Sequence, residues 1–362
     1  MDLKGKDLEE WFVSRGKKCH RNFPHNEDYI SRYKNLTDQF NKRIHPFVMQ
    51  GAAYSDGVFL NDHGPEHIKT VIRRVSELIN TEKCLLSEYE VYILLMSIHI
   101  HDMGNILGRN NHEINSQVIL QDYSQHAGQD RIEWDCIFEI AEAHGGEPKD
   151  KISDLIDEKI LQKTVRKKLL ASLLKFADEL SDDRTRANRF LLTTKEQSLQ
   201  SSLLPEESQL FHMFSYCLHT VDIDLQGKRI LLKFDVEEKY LTKTFKKRKK
   251  TKKKTYFEQY LINEIYERTY KTHLERIYCS RFFREHVNLE TLVVDIEITL
   301  EQIDARRKNV KNHIHYVLGE TGYPQSKYKD FFKMLPELTD YTGEKIKEQI
   351  NLNSLTDVST GD

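Results

Sequence analysis

SEYEVYILLMSIHIHDMGN, residues 87–105, decides the fold. Ser87 followed by Glu90 is a capping-box signature, and Val91, Leu94, Leu95 and Ile98 then recur at helical spacing. The helix they predict is apolar until it ends on His101 and Asp102. Upstream, Gly64-Pro65 starts a second helix, His67 to Ile79, with Ile68, Val71, Ile72, Val75 and Ile79 in the same rhythm. Downstream, Ile132 to Ala143 is ended by Gly145-Gly146. Leu169 to Leu180 turns Leu170, Leu173, Leu174 and Ala177 inward. These four helices predict one α-helical core.

After about residue 200 the period changes from helical to alternating. Val221, Ile223 and Leu225 alternate with acids, Gly227 marks a turn, and Ile230, Leu232, Phe234 and Val236 resume the alternation. That predicts a β-hairpin with one buried face. Leu292, Val294, Ile296, Ile298 and Leu300 supply a third strand, after a long helical pattern from roughly Tyr256 to Phe283. The expected architecture is mainly α, a helical core with a small antiparallel sheet and helical extensions. At ~150 residues per domain the length suggests two domains or one with appendages. The division read from the patterns is 1–55 N-terminal helical extension, 56–200 core, 201–300 accessory α+β region and 301–362 C-terminal helical extension.

Composition narrows the function classes. Of 362 residues, 38% are apolar and 31% charged, with 17 Tyr and 17 Phe, enough to fill a core and to exclude wholesale disorder. A net charge of −2 argues against a general nucleic-acid coat. The five cysteines are scattered and include no Cys-x-x-Cys pair, which speaks against zinc fingers and disulfide scaffolds. The charged start, Met1 to Trp11, lacks a signal core, and Val91 to Ile100 is far shorter than the ~20 residues of a membrane span. A cytoplasmic protein is expected. One segment is biased: nine of the twelve residues from Lys243 to Lys254 are Lys or Arg. It reads as a solvated loop or as a polyanion site in which Lys247, Arg248, Lys249 and Lys250 take nucleic acid or a regulatory nucleotide. The near-zero net charge favours the nucleotide, or a neighbouring subunit, over nucleic acid.

The histidines matter by placement. His63 and His67 share a helix face, His101-Asp102 closes the apolar helix, and His112-Glu113 opens the next segment. His144 follows another core helix, and Asp178 interrupts an apolar one. Any one of these is ordinary; together, imidazoles and carboxylates at the ends of four core helices can converge on a divalent metal. A buried, unpartnered Asp178 would be costly. A nitrogen and oxygen donor set without thiolate favours manganese, iron, magnesium or zinc in a hydrolytic site over a structural zinc.

The order His67…His101-Asp102…Asp178 resembles the signature of the HD-domain metal-dependent phosphohydrolases. NDHGPEHIKTV (Asn61–Val71) looks like that family's first-ligand helix, and SIHIHDMGN (Ser97–Asn105) like the helix ending in the name-giving pair. LLKFADELSDDRTR (Leu173–Arg186) looks like the helix bearing the last aspartate. The resemblance covers about residues 56–200 and implies His67, His101, Asp102 and Asp178 as ligands of one or two divalent ions. His63 competes for the first position, or else acts beside the metal by supporting a ligand or contacting phosphate. His112-Glu113 with Ser116 resembles the His-Glu-x-x-Ser segment of deoxynucleoside triphosphate triphosphohydrolases, whose histidine helps protonate the leaving group while its acidic neighbour orients it. His144 looks like the extra histidine that lets some HD phosphodiesterases hold a second metal. Gly145-Gly146 replaces the paired histidine of the cyclic-dinucleotide branch, which counts against that branch. Lys175, Arg184, Arg186 and Arg189 are candidates for phosphoryl oxygens, or else a solvated helix face.

The resemblance implies, first, hydrolysis of deoxynucleoside triphosphates to nucleoside and triphosphate, in a homo-oligomer tuned by a regulatory nucleotide. Some bacterial relatives of that kind deplete nucleotides as a defence against phage. A second expectation is an HD phosphodiesterase or nuclease acting on nucleic acid or a nucleotide second messenger. A third is a catalytically silent nucleotide sensor, against which the intact ligand set argues.

Overall fold

The computed structural model describes residues 3–48, 61, 63–81, 85–108, 111–124, 130–145, 150–187, 204–249, 255–299, 312–319 and 331–355. The chain divides into two compact units: Met1–Ser181 with Tyr278–Leu289, and Asp182–Ile277 with Glu290–Asp362.

The first unit is helical. Its elements are α1 (Leu8–Ser14), α2 (Tyr29–Arg43), α3 (Pro65–Ile79), α4 (Glu88–Ile100), α5 (His112–Ser124), α6 (Arg131–Glu142) and α7 (Lys167–Glu179). A short hairpin, β1 (Glu158–Ile160) with β2 (Lys163–Val165), precedes α7. Beyond its acidic first turn α4 has no polar face, and it is buried from Tyr89 to Ile100, as such a helix must be. Its start carries the capping box read from the sequence, Ser87 with Glu90. Arg166, just before α7, adds a fork of hydrogen bonds at 2.7 and 2.8 Å to the same Glu90 carboxylate. α3 starts on Gly64 and Pro65, where proline's missing N–H costs nothing. The N-terminal helices are tied into the core by aromatic contacts. Phe12 meets Tyr33 edge-on at 5.5 Å, and Tyr29 meets Tyr92 at 4.7 Å. Each such buried ring contributes ~1.5–3 kcal/mol of transfer free energy.

The second unit is built on four strands in the order β3 (Leu218–Asp224), β4 (Arg229–Glu237), β7 (Thr291–Thr299) and β8 (His313–Gly319). The hairpin and the third strand are those expected, but the third pairs parallel to β4, from Arg229↔Thr291 to Glu237↔Thr299. A long connection that includes α9 (Leu261–Phe283) separates them, and parallel neighbours need such a crossover. The fourth strand comes from the segment expected to be helical: Ile314, Tyr316 and Leu318 are buried in alternation with exposed neighbours. On the inner face Thr269 of α9 hydrogen-bonds Tyr316 at 2.7 Å. α8 (Glu206–Cys217) and α10 (Gly343–Leu355) complete the principal helices described there.

The basic run departs from the expected loop. Thr244–Arg248 is a strand, β5, paired antiparallel with β6 (Tyr256–Tyr260). The helix read from Tyr256 therefore begins only at Leu261. Tyr256 and Phe257 suit an extended, pleated conformation, and the pairing overrides the helical rhythm that follows them. Among the described residues, no helix is long and apolar enough to cross a membrane.

Candidate metal centre

Helix ends converge in the first unit. His67 sits in the first turn of α3, His101 caps α4, and Asp102 follows it. His112 opens α5, His144 follows the end of α6, and Asp178 lies in the last turn of α7. The ends of α4, α6 and α7 are carbonyl ends, whose partial negative charge favours a cation. His67, His101, Asp102 and Asp178 each offer one donor atom, all within 4.8 Å of one another.

The pairwise distances test the fit. His67 Nε2 is 3.4 Å from His101 Nε2, 3.5 Å from Asp102 Oδ2 and 3.2 Å from Asp178 Oδ1. His101 Nε2 is 3.2 Å from Asp102 Oδ2 and 3.8 Å from Asp178 Oδ1. Donors ~2.0–2.2 Å from one ion are separated from each other by about 3.0–3.5 Å, so this quartet fits a shared divalent cation.

Tautomers point the same way. His101 Nδ1–H donates to the Ile98 carbonyl at 2.7 Å, and His144 Nδ1–H to the Ala141 carbonyl at 2.5 Å. His63 Nδ1–H donates to the Asn61 carbonyl. Each bond leaves Nε2 with its lone pair facing the cluster, the arrangement metal-binding histidines use. His67 Nδ1 is buried without a hydrogen-bond partner among the described residues.

Asp102 divides the centre in two. Oδ2 faces His67 and His101, whereas Oδ1 faces His112 Nε2 at 3.4 Å and His144 Nε2 at 3.8 Å. Asp102, His112 and His144 form a second group able to hold an ion. Asn105 fixes the shared carboxylate by donating to Oδ1 at 3.1 Å. Burial would raise the Asp102 and Asp178 carboxyls, but the surrounding imidazoles hold both well below the usual carboxylate range. Burial would lower His101, yet Asp102 and then Asp178 raise it to about 10 without a metal. His144, buried and next to His101, is pushed down to about 3 and stays neutral. The four donor atoms of His67, His101, Asp102 and Asp178 are those of a group able to hold a divalent cation.

The other candidates fall around this centre or elsewhere. His63 Nε2 is 3.9 Å from Asp102 Oδ2, at the rim and outside both donor groups. Glu113 Oε2 holds His112 Nδ1 at 3.1 Å, and Glu113 is itself 3.9 Å from Lys151. Lys175, read as a substrate contact, donates to the His144 carbonyl at 2.8 Å and so positions that histidine. Arg184 and Arg186 belong to the second unit, where the Arg184 guanidinium stacks 4.9 Å over Tyr216 and Arg186 is buried. Arg189 and Lys250 lie outside the described residues. Lys247 is no free phosphate ligand: its ammonium is held by Glu264 at 2.6 Å and Glu267 at 2.7 Å. Arg248 and Lys249 are exposed. Asn105, Lys151 and Gly104 went unread as contributors, although Asn105 and Gly104 lie inside the decisive stretch.

Comparison with known proteins places this geometry. No curated protein and no solved structure matches the chain. The family model HD-CE matches residues 52–240, just over half of the chain, and spans every residue of both donor groups. That match and the buried His/Asp cluster make this a metal-dependent hydrolase-type domain of the HD kind. The chain belongs to the HD-CE family.

Proposed function

We propose that the protein hydrolyses nucleotide phosphates, and that its first substrates are deoxynucleoside triphosphates, cleaved to nucleoside and triphosphate. The observation that carries a hydrolytic reading is the shared carboxylate, Asp102, with one oxygen toward each donor group. When bound there, a divalent cation would supply Lewis acidity toward a phosphoryl oxygen and acidify water. The chain's own residues do the rest. His67, His101, Asp102 and Asp178 would hold the ion, and Asn105 keeps Asp102 turned toward both groups. His112 supports the triphosphohydrolase assignment. Its Nδ1–H is held by Glu113, which leaves Nε2 oriented at the edge of the cluster to deliver a proton to a departing oxygen. Glu113 in turn stabilises the imidazolium that does so.

A second reading has its own observation. Asp102 Oδ1, His112 and His144 form a second donor group, and an ion there would make His112 a ligand and favour phosphodiester chemistry on nucleic acid or a cyclic nucleotide. One experiment separates the two. Purified protein with manganese or magnesium is given a nucleotide and dinucleotide panel, the products are separated chromatographically, and metal content is measured beside the His112→Ala variant. Free triphosphate, with the variant keeping its metal but losing turnover by ~10²–10⁴-fold, is the expected result. Nucleoside monophosphate, with the variant losing an ion, would install the second reading. A protein that turns nothing over would refute both.

A further inference from the structure

We propose that the β5–β6 ribbon is a docking arm for single-stranded nucleic acid, with Arg248 and Lys249 on the backbone and Tyr256 and Phe257 stacking on bases. The ribbon is firmly based. Phe245 is buried, Lys246 pairs with Glu206 at the start of α8, and Lys247 is clamped between Glu264 and Glu267 of α9. Acids therefore neutralise the cations at its base. Farther out the balance changes, since Arg248 and Lys249 are exposed and pair with no acid among the described residues. Lys249 N–H donates to the Thr255 carbonyl at 2.8 Å, which carries the pairing past the last strand residue.

Two rings accompany these cations. Arg248 lies opposite Tyr256, and Lys247 opposite Phe257. Directly opposed residues share a face of the ribbon, so the two rings take opposite faces. Tyr256 is 40% exposed and Phe257 37%, although burying either ring would contribute about 1.5–3 kcal/mol. Cations that match phosphates, set beside flat rings that match bases, are the two components of single-strand recognition. Inorganic phosphate would use the cations and leave the rings idle, and a bilayer surface takes rings presented from one side, whereas Tyr256 and Phe257 lie on opposite faces. A duplex hides its base faces. A mononucleotide regulator calls for a concave pocket, whereas Arg248, Lys249, Tyr256 and Phe257 are exposed on the outer part of a two-stranded ribbon. The net charge of −2 does not weigh against this, because charges beyond ~8 Å are screened at physiological ionic strength and the local field decides.

The test uses the full chain and a fluorescent unstructured 20-nucleotide strand, with anisotropy titrations repeated from low to physiological salt. The paired substitutions Arg248→Ser and Lys249→Ser are expected to weaken binding about ten-fold or more and to flatten the log–log salt slope by about 1.4, or ~0.7 per lost phosphate contact. Tyr256→Ala with Phe257→Ala should weaken binding by at least ~10-fold and leave the slope unchanged, and Tyr256→Trp should preserve it. Circular dichroism and nucleotide hydrolysis should remain as in the unaltered protein in every variant. The proposal is overturned if the unaltered protein does not bind the strand, or if both double variants bind as it does. Preference for a duplex, or equal retention by anionic vesicles lost through the same residues, overturns it too.

Discussion

A methyl group at Gly104 should open one half of the centre and spare the other. Gly104 lies in the short 3-10 turn Met103–Leu107 where that turn crosses the start of α5. A Cβ there would meet the His112 carbonyl oxygen at 1.8 Å, its carbon at 2.7 Å and Asn115 Cβ at 2.9 Å. The atoms in the way are chiefly backbone, so ordinary contact requires the start of α5 to recede by about 1.6 Å, an overpacking change costing ~1–3 kcal/mol. The movement is opposed by Ser116, which accepts from Gly104 N–H at 3.1 Å and donates to the Ile100 carbonyl at 2.8 Å. His112 Nε2 starts 3.4 Å from Asp102 Oδ1, so the shift takes it out of reach of a shared ion or a departing oxygen. α3, α4 and α7 supply His67, His101 and Asp178, and none of them needs to move. Gly104→Ala should therefore keep the ion of the four-donor group, lower turnover about 10²-fold and lower the melting temperature by roughly 2–12 °C. Metal analysis, steady-state rates and calorimetry on the same preparation test this. A variant with unaltered turnover and melting temperature would refute the account of how His112 is placed.

Further expectations follow from the same geometry. Asp102→Ala removes the oxygen from both donor groups and should abolish metal retention and turnover while the helical circular dichroism persists; full activity would sink the metal-centre assignment. Metal loading should release protons, because His101, raised to about 10 in the metal-free protein, must be neutral to coordinate. Titration calorimetry at pH 7.5 in buffers of differing ionisation enthalpy should show about one proton released, and none would contradict the electrostatics. The sign for stability agrees: the metal-free protein gains most from this charge below the free-histidine range and loses it as pH rises toward 10. Glu133 is buried in the core, where burial pushes its carboxyl up against donors Tyr29 and Tyr89 at 2.7 Å and Arg32 at 3.2 Å. Its folded form holds the proton more tightly than the unfolded chain, so this group's contribution to stability declines as pH rises above the usual carboxylate range. Glu133→Gln should flatten that decline in urea titrations across pH 4–8, and an unchanged profile would count against it.

The helical core was legible because its signals are local and agree with one another. Ser87 and Glu90 announce the start of α4 within four residues, and the apolar content of Val91 to Ile100, interrupted only by Ser97 and His99, leaves burial as its only stable state. Gly64-Pro65 and the rhythm from Ile68 to Ile79 do the same for α3. Strand β8 escaped because the segment is short and Val317, apolar yet exposed between Tyr316 and Leu318, blurs the polar–apolar alternation that His313 and His315 begin with Ile314. The parallel pairing of β4 with β7 could not be read at all, since it depends on how a long connection returns the chain. At the centre, the family resemblance of three motif segments nominated His67, His101, Asp102 and Asp178, whose donor atoms lie within 4.8 Å of one another. It could not show that Asp102 faces two ways, because the direction of two oxygens on one carboxylate depends on Asn105 and on helices far apart in the chain.

Composition misled most where charge was counted without geometry. Lys243 to Lys254 offered one buried apolar residue in its first seven, Phe245, so neither a strand nor a helix period emerged, and the run read as loop. Pairing with Tyr256–Tyr260 makes Thr244–Arg248 a strand, and pairing also sorts its cations. Lys246 and Lys247 are held by Glu206, Glu264 and Glu267, which precede the run by more than thirty residues or follow it by ten or more. Replacing Lys247 to test polyanion binding would strip the partner from a buried Glu264 and loosen the ribbon itself. A loss of binding in that variant would report the scaffold rather than the contact. Arg248 and Lys249 are the cations whose removal leaves the base intact, and only register and burial distinguish them from their neighbours.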